Sequence, residues 1–189
     1  MLYYYIMILI LRGHIRESFK NNNLLVLIEN IYKLYPKLII YIHTWNTISN
    51  NISWRNIQEN KNVVNEEIIY NYFKNYRLLI KHIIISDDTN ITLHGKMNGK
   101  LFNSCMPIVG WKNYWYGKYQ ITKYLYDNIS NKNSHVINCR FDVLQNSYSL
   151  TTNNILRFIY SHKNRKFVGN TFIFDKPKKG IDNIYIWVL

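Results

Sequence analysis

Four short apolar runs, each closed by polar residues and followed in turn by helical spacing, constrain this chain more than any other feature of it. Residues 3–11 are continuously apolar, as expected of a strand covered on both faces. Leu24, Leu27, Ile28, Ile31 and Leu34 then recur at helical spacing, and Pro36 stops the helix. Residues 38–43 form a second strand-like run, Ile68, Ile69, Tyr72, Phe73 and Tyr76 a second helical stripe, and residues 79–86 a third run. Trp111, Tyr114, Trp115, Tyr119, Thr122 and Tyr126 predict an amphipathic helix whose aromatic side chains belong in the core. A fourth run covers 135–141, followed by a helix near 152–161 and β-like stretches at 167–174 and 183–188. Strand and helix alternating at this spacing predict βαβ units, hence an α/β fold with a mostly parallel sheet flanked by helices. No repeat and no linker divides residues 1–189, so one domain is expected.

Composition narrows the function classes. Hydrophobic residues make up 48% of the 189, enough to build a core and to argue against wholesale disorder. Lys and Arg outnumber Asp and Glu by 24 to 11, a net charge of +13. That charge invites a nucleic-acid reading, but the chain also has 29 Ile and 27 Asn and no Ala. An A/T-rich coding sequence, as in some large DNA viruses, parasites or organelles, explains both and supplies Lys without selection for a partner. No ribonucleoprotein-type, zinc-finger or helix-turn-helix signature accompanies the charge, so nucleic acid is not the expected partner. Two separated cysteines, Cys105 and Cys139, exclude a disulfide framework and a cysteine zinc site. The apolar start of 11 residues is shorter than the roughly 20 a spanning helix needs, and Arg12-Gly13-His14-Ile15-Arg16 follows where a signal peptide would carry a cleavage site. A cytoplasmic protein without a transmembrane segment is expected.

In parallel sheets, ligands bind outside the carboxyl ends of the strands. The four runs end in Arg12 to Arg16, in His43-Thr44-Trp45-Asn46, in Ser86-Asp87-Asp88 and in Arg140-Phe141-Asp142, all at that predicted edge. Gly13 would let backbone approach an anion, with His14 and Arg16 beside it; solvated arginines at a helix start are the plainer reading. His43 and Trp45 offer a hydrogen bond and a stacking ring for a base or sugar, or else form an ordinary loop. Asp87 and Asp88 suit a ribose or cation, or an ordinary turn. Arg140 and Asp142 combine a phosphate-binding guanidinium with a metal-binding carboxylate, or form a local salt bridge. Lys112 opens the aromatic helix, and Asp182, before the last strand, is a candidate catalytic carboxylate or a simple turn residue.

In this order the clusters resemble a family of glycosyltransferase-like proteins found in giant viruses and in bacterial surface-polysaccharide gene clusters. The resemblance is carried by the turn from Arg12 through Gly13, His14 and Arg16 to Phe19. It continues in Ile42-His43-Thr44-Trp45-Asn46, in the aromatic stretch from Trp111 to Tyr119, and in Arg140-Phe141-Asp142, spanning about residues 5–185. It implies a Rossmann-like, GT-A-like fold that binds a UDP- or GDP-linked sugar and transfers the sugar to a glycan or protein acceptor. Gly13, His14 and Arg16 would then lie near the nucleotide, and Arg140 and Asp142 near the diphosphate and a Mg²⁺ or Mn²⁺ ion, with Asp142 as metal ligand. Asp142 and Asp182 would be the catalytic carboxylates. The chain carries Arg140 where GT-A enzymes usually have the first Asp of Asp-x-Asp. Its end at Leu189 leads to the expectation of a C-terminally shortened member, in which an acceptor-side segment is missing. A basic nucleic-acid-binding protein and a catalytically inactive virion or structural protein are the competing expectations.

Overall fold

The computed structural model describes residues 6–53, 57–130, 134–145, 151–162, 173–174 and 184–188. In chain order these form β1 (Met7–Arg12), α1 (Asn23–Leu34), β2 (Leu38–Trp45), β3 (Thr47–Ser49), β4 (Asn60–Val63) and α2 (Glu66–Phe73). A 3₁₀ turn over Lys74–Leu79 leads into β5 (Ile80–Ser86), α3 (Ile108–Asn128) and β6 (His135–Arg140). A second 3₁₀ turn over Phe141–Gln145 precedes α4 (Thr152–His162), β7 (Ile173–Phe174) and β8 (Ile184–Val188).

One sheet holds six strands in the order β5-β2-β1-β6-β8-β7. The first four are mutually parallel, and β8 runs antiparallel to β6 and β7. The chain is thus α/β and Rossmann-like, with a mostly parallel sheet flanked by helices. All six residues of β1 are buried, as its unbroken apolar run requires. Met7, Leu9 and Leu11 face a core shared with Leu24, Leu27, Ile28 and Ile31 of α1, Ile69 and Phe73 of α2, and Ile155 and Ile159 of α4. Ile8 and Ile10 face the opposite core, closed by Ile121 and Leu125 of α3. Helix starts and stops obey local chemistry: the Asn65 side chain accepts a hydrogen bond from the Ile68 amide at 2.9 Å to cap α2, and α1 stops just before Pro36.

Three expectations change. The antiparallel ribbon of β3 and β4 was not legible, because its strands are short and polar. The direction of β8 was not legible either, since side-chain periodicity carries no polarity. The third concerns α3, whose inward stripe is Asn113, Gly117, Ile121 and Leu125, while Trp111, Trp115, Tyr119 and Tyr126 are exposed. Both stripes have helical spacing; the smaller side chains won the core side because they let the helix close on the sheet. Residues 3–5, 167–172 and 183 of the expected strands lie outside the described residues. Among the described residues no helix is long and apolar enough to cross a membrane.

Candidate anion-binding cleft

From β1 the chain steps outward to β2 and β5, then returns to place β6 on the other side of β1. The order reverses between β1 and β6, and a crevice opens at such a point beyond the carboxyl ends. Register fixes what meets there: Arg12 pairs with His43 on β2 and with Arg140 on β6, while Trp45 pairs with Ser86 on β5. The four polar clusters therefore share one edge. Above β1, β2 and β6, the first half of α3 roofs a cleft that is open to solvent. Of the candidates read from the sequence, Gly13, His14, Arg16, His43, Trp45 and Arg140 line it.

One end of the cleft is cationic. Arg12 is only 3% exposed; its Nε donates to Asn138 Oδ1 at 2.5 Å and its Nη2 to the Tyr114 hydroxyl at 2.9 Å. Its guanidinium carbon lies 4.4 Å from the Tyr114 ring centroid, and Lys118 Nζ lies 4.3 and 4.4 Å from those of Trp115 and Tyr185. The turn after β1 is tied down by backbone: Gly13, at φ 92°, donates its amide to His43 O and accepts from the Thr44 hydroxyl. Arg16 is held at φ 49° by its amide bond to Ile48 O at 3.0 Å. Arg16 Nη1 then reaches Asp142 Oδ2 at 2.5 Å, and Arg140 grips the same carboxylate bidentately at 2.7 and 2.8 Å. Among the described residues lining the cleft, Arg12, Arg16, Lys118 and Arg140 are cationic and none is acidic. Asp142 stands behind them, 3% exposed.

The strand alternation expected to align Arg140 with Asp142 is replaced by the 3₁₀ turn, which brings the two side chains together all the same. Asp142 spends both carboxylate oxygens on guanidinium groups. A divalent cation there would compete with both guanidinium groups for Asp142, and among the described residues no group of three His, Cys, Asp or Glu is placed to hold a metal.

Beside the cations, the cleft wall is aromatic. His14 lines the cleft with Nε2 3.7 Å from Asp88 Oδ2, longer than a hydrogen bond, and Asp88 accepts from the Asn50 amide. Burial pushes the His14 pKa down against the pull of Asp88, and His14 and Asn50 hold the Asp88 carboxyl below its ordinary range. Trp45 is 4% exposed, its ring near-parallel to His14 at 5.7 Å and to Tyr116 at 6.0 Å, so it serves the wall more than it offers a free stacking face. His43 is fully buried, its Nε2 3.1 Å from Ser86 Oγ; burial, then the Arg12 charge, lower its pKa to about 3, and it is neutral.

Not every candidate converges. The Asp87 carboxylate accepts from the Thr89 amide and hydroxyl at 2.9 and 2.7 Å, the ordinary turn reading. Lys112 donates to His94 O, on a loop away from the cleft lining. Asp182 lies outside the described residues. Conversely, Asn113, Gly117, Lys118 and Asn138 line or support the cleft without being singled out in the sequence, and Tyr114, expected in the core, binds Arg12 there instead. Asn138 could have been singled out, as a lone polar residue inside the apolar β6 run and two places before Arg140; Asn113 and Gly117, four apart, were hidden by the aromatics between them.

Comparison of the chain with protein-family models, curated proteins and solved structures finds no match.

Proposed function

We propose that the cleft binds the diphosphate of a nucleotide-activated sugar, UDP- or GDP-linked, and that the chain is a glycosyltransferase-like protein acting on a glycan or protein acceptor. The observation that supports this is the convergence of Arg12, Arg16, Arg140 and Lys118 at the strand-order reversal, on a cleft with no acidic lining residue among those described. The sequence resemblance in the same residues points the same way. In glycosyl transfer the bond between the anomeric carbon and the phosphate oxygen breaks, an acceptor hydroxyl forms the new bond, and negative charge grows on the departing diphosphate. Guanidinium groups fixed in advance by Asn138, Tyr114 and Asp142 stabilise that charge without reorganising. A Mg²⁺ or Mn²⁺ ion, as the resemblance implies, would supply the same neutralisation as a Lewis acid; with Asp142 already committed to two arginines, this reading assigns the task to Arg12, Arg16 and Arg140. Asp142 then acts by positioning them. His14, which lines the cleft and faces Asp88 at 3.7 Å, is placed to take the proton of the acceptor hydroxyl.

Calorimetric titration with UDP, GDP and their sugars, with and without Mn²⁺, tests the reading. Arg12→Gln is expected to weaken binding at least tenfold; a folded wild-type protein that binds none of these ligands refutes it. The exposed Trp111, Trp115, Tyr119 and Tyr126 on α3 favour a second reading, a single-stranded nucleic-acid surface. That reading requires oligonucleotide affinity that falls steeply with salt and is lost in Trp115→Ala.

A further inference from the structure

Asn113 is 6% exposed, lines the cleft, and has no hydrogen-bond partner at either Nδ2 or Oδ1. A buried carboxamide with both ends unsatisfied is costly, and an apolar side chain would fill the same place without that cost. The helix is seated closely on its neighbours to either side of Asn113 along the chain. A Cβ at Gly110 would stand 3.1 Å from Ile52 O, and one at Gly117 2.5 Å from the His43 ring. Asn113 shares its cleft with the cationic end, where the Arg12 guanidinium bonds to Tyr114, the next residue of α3. A ligand that satisfies both ends has an anionic head and a flat body whose edge pairs a donor with an acceptor. A nucleoside diphosphate has both.

We propose that Asn113 reads the hydrogen-bonding edge of the nucleobase of a bound nucleoside diphosphate, an inference that rests on the diphosphate reading above. The carboxamide presents one donor and one acceptor side by side, the complement of N3–H and O4 of uracil or N1–H and O6 of guanine. An aspartate there presents two acceptors, which suit the N1–H and N2–H₂ pair of guanine and oppose the O4 of uracil.

The test measures affinities of wild type, Asn113→Ala and Asn113→Asp for pyrophosphate, UDP and GDP, with the melting temperature of each unliganded protein. Asn113→Ala is expected to weaken UDP or GDP binding about 5- to 100-fold, to leave pyrophosphate binding unchanged, and to raise the melting temperature by a few degrees. Asn113→Asp is expected to shift the GDP-to-UDP affinity ratio at least tenfold toward GDP. Equal losses for pyrophosphate and nucleotides, an unchanged ratio, or an Asn113→Ala protein that melts lower or fails to fold would overturn the base-reading role and leave the diphosphate site standing. Wild-type protein that binds neither pyrophosphate nor nucleotide overturns both.

Discussion

Gly117→Ala sets two known magnitudes against each other. In an ordinary helix interior, alanine is favoured over glycine by about 1 kcal/mol, and Gly117 sits well inside the 21 residues of α3. At this position the added methyl would lie 2.5 Å from His43 Cε1 and 2.6 Å from Nδ1. Optimal carbon contacts fall at roughly 3.5–4.0 Å, so the overlap is about 1 Å. The ring has little freedom to retreat: it is fully buried, bonded to Ser86 and packed edge-on to Trp45 at 5.3 Å. Overpacking of this kind costs about 1–3 kcal/mol, so the substitution should destabilise by up to about 2 kcal/mol once the helix gain is subtracted. For a chain of this size each kcal/mol moves the melting temperature by about 2–4 °C. The assay is urea unfolding of wild type, Gly117→Ala, His43→Ala and the double variant. Without the imidazole, Gly117→Ala should become neutral or stabilising, and the cycle should return a coupling of about 1–3 kcal/mol. A Gly117→Ala protein more stable than wild type, or a coupling under about 0.5 kcal/mol, refutes the close seating of α3 on β2.

Stability should fall with acid through His43. Its folded pKa, about 3, lies below the ordinary 6.5, so only the unfolded chain takes up this proton as pH drops between those values. The stabilisation is complete above pH 6.5 and is lost downward, by about 3 kcal/mol at pH 4.5, with His14 adding in the same direction. Urea midpoints at pH 7.5 and 4.5 should show this, and His43→Gln should flatten the dependence; an unchanged dependence in His43→Gln rejects it. Asp142→Asn removes the buried charge that Arg16 and Arg140 share, and should destabilise by about 3 kcal/mol in the same assay. A change under about 0.5 kcal/mol would show that the three groups are not paired as described.

The sequence made the main sheet legible because β1, β2 and β6 are buried or nearly so and read as mostly apolar runs, while β5, at the sheet edge and only partly buried, still carries the apolar stretch Ile83 to Ile85. It made the edge legible because a parallel strand must deliver its first polar residues at the same end as its neighbours. What it could not supply was partnership. Nothing in the spacing tells whether Asp88 or Asp87 turns inward; that depends on His14 and Asn50, more than 35 residues away along the chain. Nor does spacing decide between two helical stripes of α3. The aromatic stripe is the more hydrophobic, yet the helix can approach His43 and Ile52 only through Gly110 and Gly117. Close approach, not hydrophobicity, selected the face, and close approach is a tertiary property.

Some of the places where this chain departs from local rules lie at the cleft. Its capped α2, buried β1 and proline-terminated α1 each agree with what propensity and pattern ask for. Several disagreements meet at the cleft: a glycine in the middle of α3, a buried carboxamide with neither end satisfied, and Arg16 at φ 49°, while Lys74 and Asn103, the other non-glycine residues at positive φ among those described, lie elsewhere. Each has a cost in the unliganded fold of about 1 kcal/mol. On the proposed reading, an anion with a polar, planar body would offset the charge and the unsatisfied amide together, while the glycine lets α3 close on His43. The net charge of +13 therefore matters less than its placement: four of the 24 basic residues account for the cleft.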